Sequence, residues 1–129
     1  MEPKLDAIGI TTADVALSCR FYALLGVPVT EAPEGDHVEA NLPSGIRLMW
    51  DTVGLMKQID PDWEPPIGQR ISLAFHCDTA AGVDATTAAI AAAGFAVKNE
   101  PWDAFWGQRY AAVVDPDDNV IHLFAPLDG

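Results

Sequence analysis

The sequence predicts an α+β fold made of two βαβββ modules, and three observations support this prediction. A short alternation of apolar residues, typical of a strand, leads into a helical pattern that ends at a glycine, and this occurs twice, at Gly26 and Gly94. Each helix is followed by three short strand candidates separated by turn residues. The two copies are offset by roughly 68 residues, which indicates an internal repeat of pattern rather than of identity.

The first module, about residues 1–52, contains one predicted helix and four predicted strands. The helix covers Asp14 to Leu25, with Thr12 or Asp14 as its N-cap and Gly26 as its end. The strand candidates are Lys4 to Thr11, Val27 to Glu31, His37 to Leu42 and Ile46 to Asp51.

The second module, about residues 70–129, repeats this order after a proline-rich linker at residues 53–69. Its helix covers Ala80 to Ala93 with Thr79 as the cap. Each helix would bury its apolar stripe on the convex face of its own curved sheet, so that two concave faces form the cup of a single domain. The strand candidates are Ile71 to Cys77, Phe95 to Glu100, Gln108 to Val114 and Val120 to Ala125.

Composition excludes several classes of function. Half of the residues are hydrophobic, which is enough for a packed core. Nineteen acidic residues against seven basic ones give a net charge of −12, so binding to nucleic acid or to anionic lipid is not expected. No apolar run approaches about 18 residues and no signal peptide is evident, so we expect a cytoplasmic protein with Cys19 and Cys77 as free, buried thiols.

The tryptophans are the most informative residues for function. They lie at strand ends and in loops among acidic residues, where a core position is not expected. Large flat rings near carboxylates suit a flat, partly cationic ligand. Alternatively, each tryptophan anchors a loop or packs in a dimer interface. The four are Trp50, Trp63, Trp102 and Trp106, and Phe105 stands beside the last of them.

The order of elements, together with Asp-Pro-Asp-Asp-Asn-Val-Ile at residues 115–121, resembles the vicinal oxygen chelate superfamily of glyoxalases, bleomycin-resistance proteins and extradiol dioxygenases. Residues 45–53, 60–66, 102–110 and 123–127 are similar to the mitomycin-resistance proteins of antibiotic-producing bacteria. This resemblance implies a domain-swapped homodimer that sequesters a drug without a metal.

Enzymes of this superfamily generally hold a divalent metal with His and Glu side chains. Of the matching positions here, only one carries a strong ligand, so we expect no metal and no cofactor. A different grouping of the three histidines is the alternative. The matching positions are Ala7, Leu48-Met49-Trp50, Ser72 and His122, and the other histidines are His37 and His76.

The resemblance also implies a set of ligand-binding residues. His37 and Trp106 match the residues that sandwich a planar drug in the resembling proteins. Arg109 and Tyr110 are expected as polar contacts to the edge of the ligand, and Trp50 as the floor of the site. The alternative for Arg109 is an ion pair with Asp103 or Asp51. The remaining candidates are Trp102, Phe105 and Trp63.

Three hypotheses of function follow. The first is a metal-free binding protein for a planar aromatic or quinone-like natural product, serving antibiotic resistance, self-protection or biosynthesis as a carrier. The second is a glyoxalase-like lyase or isomerase, either metal-dependent through atypical ligands or metal-free with His122 or His37 as the base. The third is a dimeric stress or regulatory protein whose cleft is vestigial.

Overall fold

A computed structural model describes residues 2–127 of the chain. They form two compact units that divide between Pro65 and Pro66, called here the N-terminal and the C-terminal unit. Both units combine a sheet with one or two helices, as expected for an α+β protein. Within residues 2–127, no helix is both long enough and apolar enough to cross a membrane.

The N-terminal unit contains a three-stranded mixed sheet in the order β1-β3-β2. Strand β1 runs parallel to β3, and β2 pairs with β3 as an antiparallel hairpin. The elements are β1 (Ala7–Thr12), α1 (Val15–Ala23), β2 (His37–Asn41), β3 (Arg47–Thr52) and α2 (Val53–Ile59).

The two faces of this sheet differ sharply. Cross-strand partners share a face, and Trp50 is paired with Ile10 on one side and Val38 on the other. All three are buried, and the ring of Tyr22 on α1 lies 5.8 Å from that of Trp50, so α1 covers this face. The opposite face, called the polar face, carries His37, Glu39, Arg47 and Asp51.

Helix α1 begins as the sequence predicts and ends slightly earlier. The Asp14 carboxylate accepts a hydrogen bond from the N–H of Leu17 at 3.0 Å, which satisfies a donor of the first turn. The helix ends at Ala23 rather than Leu25, and Gly26 follows with a φ of 85°. Glycine adopts this left-handed conformation without the steric cost that a Cβ would bring.

Two predictions for this unit are wrong. Val27 to Glu31 is not a strand: Pro28 lacks an N–H, and the N–H of Val29 closes a tight local turn on the carbonyl of Val27 at 2.8 Å. The predicted linker is also partly helical, because α2 occupies Val53–Ile59 with the Thr52 hydroxyl accepting from the N–H of Leu55 at 3.1 Å. Only two strands therefore follow α1.

The C-terminal unit has the predicted βαβββ order. Its four-stranded sheet has the order β4-β7-β6-β5, with β4 parallel to β7 and the other pairs antiparallel. The Thr79 hydroxyl caps the helix by accepting from the N–H of Gly82 at 3.0 Å. The elements are β4 (Leu73–His76), α3 (Ala80–Ala92), β5 (Ala96–Asp103), β6 (Gln108–Val114) and β7 (Val120–Pro126).

This sheet also has two unlike faces. Helix α3, with Val83 and Ile90 buried, covers the face that carries Ala111, Val113 and Leu123. The opposite face is called the aromatic face. Register places Trp102 beside Tyr110, Tyr110 beside Phe124 and Ala112 beside His122. The aromatic face is therefore defined by Trp102, Tyr110, His122 and Phe124.

Both cysteines are free thiols. Cys19 is buried in the N-terminal unit, as expected, whereas Cys77 is only half-buried. Removal from water raises the pKa of both thiols, which keeps them protonated and weakly nucleophilic near neutral pH.

Candidate ligand-binding site

The β5–β6 hairpin carries two aromatic side chains at its tip. The N–H of Gly107 donates to the carbonyl of Ala104 at 3.0 Å, and the N–H of Ala104 donates to the carbonyl of Gln108 at 2.8 Å. Gly107 has a φ of 94°, which is why a glycine follows Trp106 here. Phe105 and Trp106 therefore occupy the turn itself, on a rigid support.

Trp106 is the centre of a ring cluster that we call the aromatic cluster. Its ring centroid lies 4.9 Å from that of Phe105, 5.5 Å from that of Tyr110 and 5.7 Å from that of Trp102. All three pairs are edge-to-face, with interplanar angles of 88°, 71° and 88° respectively. The indole N–H of Trp106 also donates to the Gln108 side-chain carbonyl at 2.8 Å, which fixes the plane of the ring.

The cluster retains much exposed apolar surface. Phe105 is 91% exposed, Trp106 48% and Trp102 42%. Exposed rings that already hold one another in place pay little conformational entropy when a ligand covers them. Contiguous exposed aromatic surface of this kind is typical of a binding site.

A polar pair extends the cluster along the aromatic face. The Tyr110 hydroxyl and His122 Nδ1 are hydrogen-bonded, and their ring centroids are 5.6 Å apart. Burial raises the pKa of Tyr110, so its phenol stays protonated at neutral pH. The aromatic face therefore offers hydrogen-bonding groups beside its rings.

Arg109 does not belong to the aromatic cluster, and its predicted role at the edge of a ligand stays a prediction. Neighbouring residues on a strand point to opposite faces, and Arg109 points to the α3 side of the sheet. Its guanidinium pairs with Asp84 of α3 and with Asp103, each at 3.0 Å. Of the two alternative ion pairs, the one with Asp103 is confirmed, whereas Asp51 pairs with His37.

Trp50 does not lie at the ligand site where the sequence predicts it. It is 0% exposed and lies in the core of the N-terminal unit beside Tyr22, so it is not the floor of a ligand site. Its Nε1 has no hydrogen-bond partner within residues 2–127. The signal was present in the sequence, because Leu48 and Trp50 alternate as buried strand residues should.

His37 lies on the polar face of the N-terminal unit, between two carboxylates. Its Nδ1 is 2.5 Å from Asp51 Oδ1, and its Nε2 is 2.7 Å from Glu39 Oε2. These hydrogen bonds, first with Asp51 and then with Glu39, raise the pKa of His37. Arg47 continues the network, since it contacts Glu39 at 2.7 Å and Asp6 at 2.6 Å.

Sequence reasoning missed this network, which we call the histidine clamp (His37, Glu39, Asp51). Glu39 is two residues from His37 and shares its face, but Asp51 is its partner only through the β2–β3 register. That His37 and Trp106 hold one ligand stays a prediction. Trp63 is half-buried in the turn after α2, where its N–H donates to the carbonyl of Asp60 at 3.0 Å.

The metal positions of the superfamily do not fit a metal here. Ala7 and Met49 share the polar face, Ser72 precedes β4, and only His122 carries a strong ligand. Among the residues that the structure describes, no three His, Cys, Asp or Glu side chains gather around a common point that could hold an ion. His76 is exposed, and its Nδ1 accepts from the N–H of Asp78 at 3.0 Å.

The chain belongs to the Glyoxalase/Bleomycin resistance protein/Dioxygenase superfamily, whose family model matches residues 4–123. No curated protein sequence matches the chain.

Solved structures show the same fold. A hypothetical protein from Staphylococcus aureus is 17% identical with a TM-score of 0.80, over 97% of this chain and 95% of that one. A glyoxalase/bleomycin resistance protein/dioxygenase from Nocardioides is 21% identical with a TM-score of 0.76, over 100% and 87%. Lactoylglutathione lyase from Agrobacterium tumefaciens is 16% identical with a TM-score of 0.69, over 96% and 94%. At these identities the likeness establishes the fold alone.

Proposed function

We propose that this protein binds a planar natural-product molecule by ring stacking, without a metal, and thereby sequesters it. The observation that carries the proposal is the aromatic cluster, in which Trp102, Phe105 and Trp106 hold one another edge-to-face yet stay exposed. Rings fixed in this way offer flat apolar surface to a flat ligand.

The energetics permit useful affinity without a chemical step. Covering about 400 Å² of apolar ligand and protein surface contributes about 10 kcal/mol. Stacking on two rings adds about 2 kcal/mol, and association costs at least about 4 kcal/mol. The balance of at most about 8 kcal/mol permits a Kd in the micromolar range.

Charge narrows the class of ligand. The net charge of −12 attracts cationic molecules and repels anionic ones. Arg109, the cation closest in sequence to the cluster, is already paired with Asp84 and Asp103. The proposed ligand is therefore neutral or cationic.

The resemblance of residues 102–110 to mitomycin-resistance proteins supports the same role, because this segment contains the hairpin tip. We propose resistance or self-protection in the cytoplasm, or a carrier role in biosynthesis, by a domain-swapped homodimer. His37 is proposed as a further ligand contact. Sedimentation analysis tests the dimer, and a monomer at micromolar concentration would contradict it.

Fluorescence titration tests the binding proposal. Tryptophan emission is followed while mitomycin C and a panel of planar quinone and polycyclic antibiotics are added. At least one compound should quench the emission with a micromolar or lower Kd, and Trp106→Ala should weaken its binding at least about tenfold. Ile67→Ala removes a fully exposed apolar side chain outside the aromatic cluster and should leave the Kd unchanged. No quenching by any compound contradicts the proposal.

A second candidate function is that of a lyase or isomerase, and the Tyr110–His122 pair favours it. A phenol hydrogen-bonded to an imidazole can donate and accept protons at one place. One structural neighbour is a lactoylglutathione lyase. The assay is turnover of the hemithioacetal of methylglyoxal and glutathione, with and without added Ni²⁺ or Zn²⁺. Turnover that His122→Ala abolishes would support this function. No turnover in any condition would contradict it.

A further inference from the structure

We propose that His122 is the residue that sets ligand specificity: its Nε2–H donates to a carbonyl oxygen, or an equivalent acceptor, at the edge of a planar ligand. The inference rests on the proposed function and names the chemical class that the aromatic face selects. Flat hydrocarbons would be bound less tightly than flat carbonyl compounds of the same size.

The sheet register places His122 next to the rings and leaves it half-buried. Its side chain is on the aromatic face, one strand away from Tyr110 and two residues from Phe124. Its direct neighbours across the sheet are alanines on both sides, Ala112 on β6 and Ala74 on β4. Because an alanine reaches no further than its Cβ, neither neighbour covers the imidazole.

The hydrogen bond to Tyr110 determines which nitrogen of His122 carries the proton. Burial keeps the Tyr110 phenol protonated, and its hydroxyl hydrogen needs an acceptor. An unprotonated imidazole nitrogen is a much better hydrogen-bond acceptor than a phenol oxygen. The hydroxyl therefore donates to Nδ1, and the neutral imidazole carries its proton on Nε2.

The Nε2–H donor has no other partner in the described part of the chain, where His122 is hydrogen-bonded only through Nδ1. In the free protein water can accept from it, since His122 is half-buried. A flat ligand that covers the aromatic face excludes this water. A ligand with an edge acceptor replaces the lost hydrogen bond, and a hydrocarbon leaves the donor unsatisfied. A difference of about fivefold to tenfold in Kd is expected.

The tautomer can be tested without a ligand. A long-range ¹H–¹⁵N NMR correlation of the His122 ring at pH 8 should show the neutral Nε2–H form. Tyr110 acts as a positioning residue, so Tyr110→Phe should lower the proportion of this form. A wild-type ring with its proton on Nδ1 would overturn the inference.

The specificity is tested with two probes of similar size, chromone, which carries a carbonyl, and naphthalene, which does not. The wild type should bind chromone about fivefold to tenfold more tightly. His122→Phe should remove this preference while keeping naphthalene affinity, and Tyr110→Phe should reduce it in part. The matched control is His76→Phe, the same substitution on the neighbouring strand, which should keep the preference.

The outcomes separate the two proposals. Equal binding of the two probes by the wild type, or a preference retained in His122→Phe, overturns the role of His122 and leaves ring stacking standing. Binding of neither probe contradicts both the stacking function and the role of His122.

Discussion

The polar face of the N-terminal unit and the aromatic face of the C-terminal unit use the same strand alternation for different purposes. On the polar face, His37 is engaged at both nitrogens by Asp51 and Glu39. On the aromatic face, His122 is engaged at one nitrogen by Tyr110 and keeps the other available. A histidine engaged at both nitrogens has only its ring face left for a ligand, whereas one engaged at a single nitrogen can also donate a hydrogen bond to it.

Trp50 of the N-terminal unit and Trp106 of the C-terminal unit also differ. Trp50 is fully buried in the N-terminal core, whereas Trp106 is half-exposed at a hairpin tip. Trp50→Ala should lower the free energy of unfolding by about 3–5 kcal/mol. Trp106→Ala should lower it by about 1 kcal/mol or less, while removing most ligand affinity. Urea denaturation measures both losses of stability. Equal losses would contradict the difference between the two tryptophans.

A comparison of the turns in the β2–β3 and β5–β6 hairpins separates an effect on stability from an effect on ligand binding. Gly45 in the β2–β3 turn has a φ of 96° and Gly107 in the β5–β6 turn has a φ of 94°. A Cβ at either position would meet nothing within 4 Å, so only the backbone conformation opposes alanine. Each Gly→Ala change should cost about 1–2 kcal/mol of stability by urea denaturation. Only Gly107→Ala should also weaken ligand binding, because only that turn carries Trp106; an equal effect of both on Kd would contradict this.

The hydrogen bond that Gln108 accepts from the Trp106 indole can be tested by a milder substitution. Gln108→Leu removes the acceptor of the indole N–H without removing any ring. Ligand affinity should fall about threefold to fivefold, and Gln108→Glu, which keeps an acceptor oxygen, should restore most of it. Fluorescence titration measures both variants. Affinity unchanged in Gln108→Leu would show that the plane of the ring does not depend on this bond.

The smallest expected effect is the pH dependence of the histidine clamp. The pKa of His37 is raised in the folded protein, so its contribution to stability is full below about pH 6.5 and is lost as pH rises through the folded pKa. His37→Ala should therefore lower Tm more at pH 6 than at pH 9, by about 2 °C or less because the His37 side chain is exposed. An NMR titration of His37 in Asp51→Asn should show a lower pKa than in the wild type; an unchanged value would contradict the clamp.

Local patterns predicted most of the fold. All elements of the C-terminal unit were predicted with the correct type and order, because Thr79 and Gly94 mark both ends of its helix and its strands alternate regularly. In the N-terminal unit, a valine-rich segment around Pro28 resembled a strand although the proline withholds a donor. The short helix α2 was missed because the prolines that follow it made the whole of residues 53–69 resemble an irregular linker.

The positions of the candidate site residues were predicted less well, because they depend on faces and register. The aromatic residues at the hairpin tip were proposed as ligand contacts from their types and from Gly107. Trp50 and Arg109 were assigned by chemical character, but alternation places each of them on the helix-covered side of its sheet. The partners of His37 and His122 stand on other strands, and a single sequence does not give the register that joins them.

In the proposed function, exposed rings of the C-terminal unit hold the flat ligand, and the buried ring of the N-terminal unit does not. The four indole N–H resonances report on this directly in one ¹H–¹⁵N NMR titration with a planar quinone antibiotic. The signals of Trp102 and Trp106 should shift in proportion to ligand bound, while that of Trp50 should stay in place. A shift of Trp50 with Trp106 unmoved would contradict it.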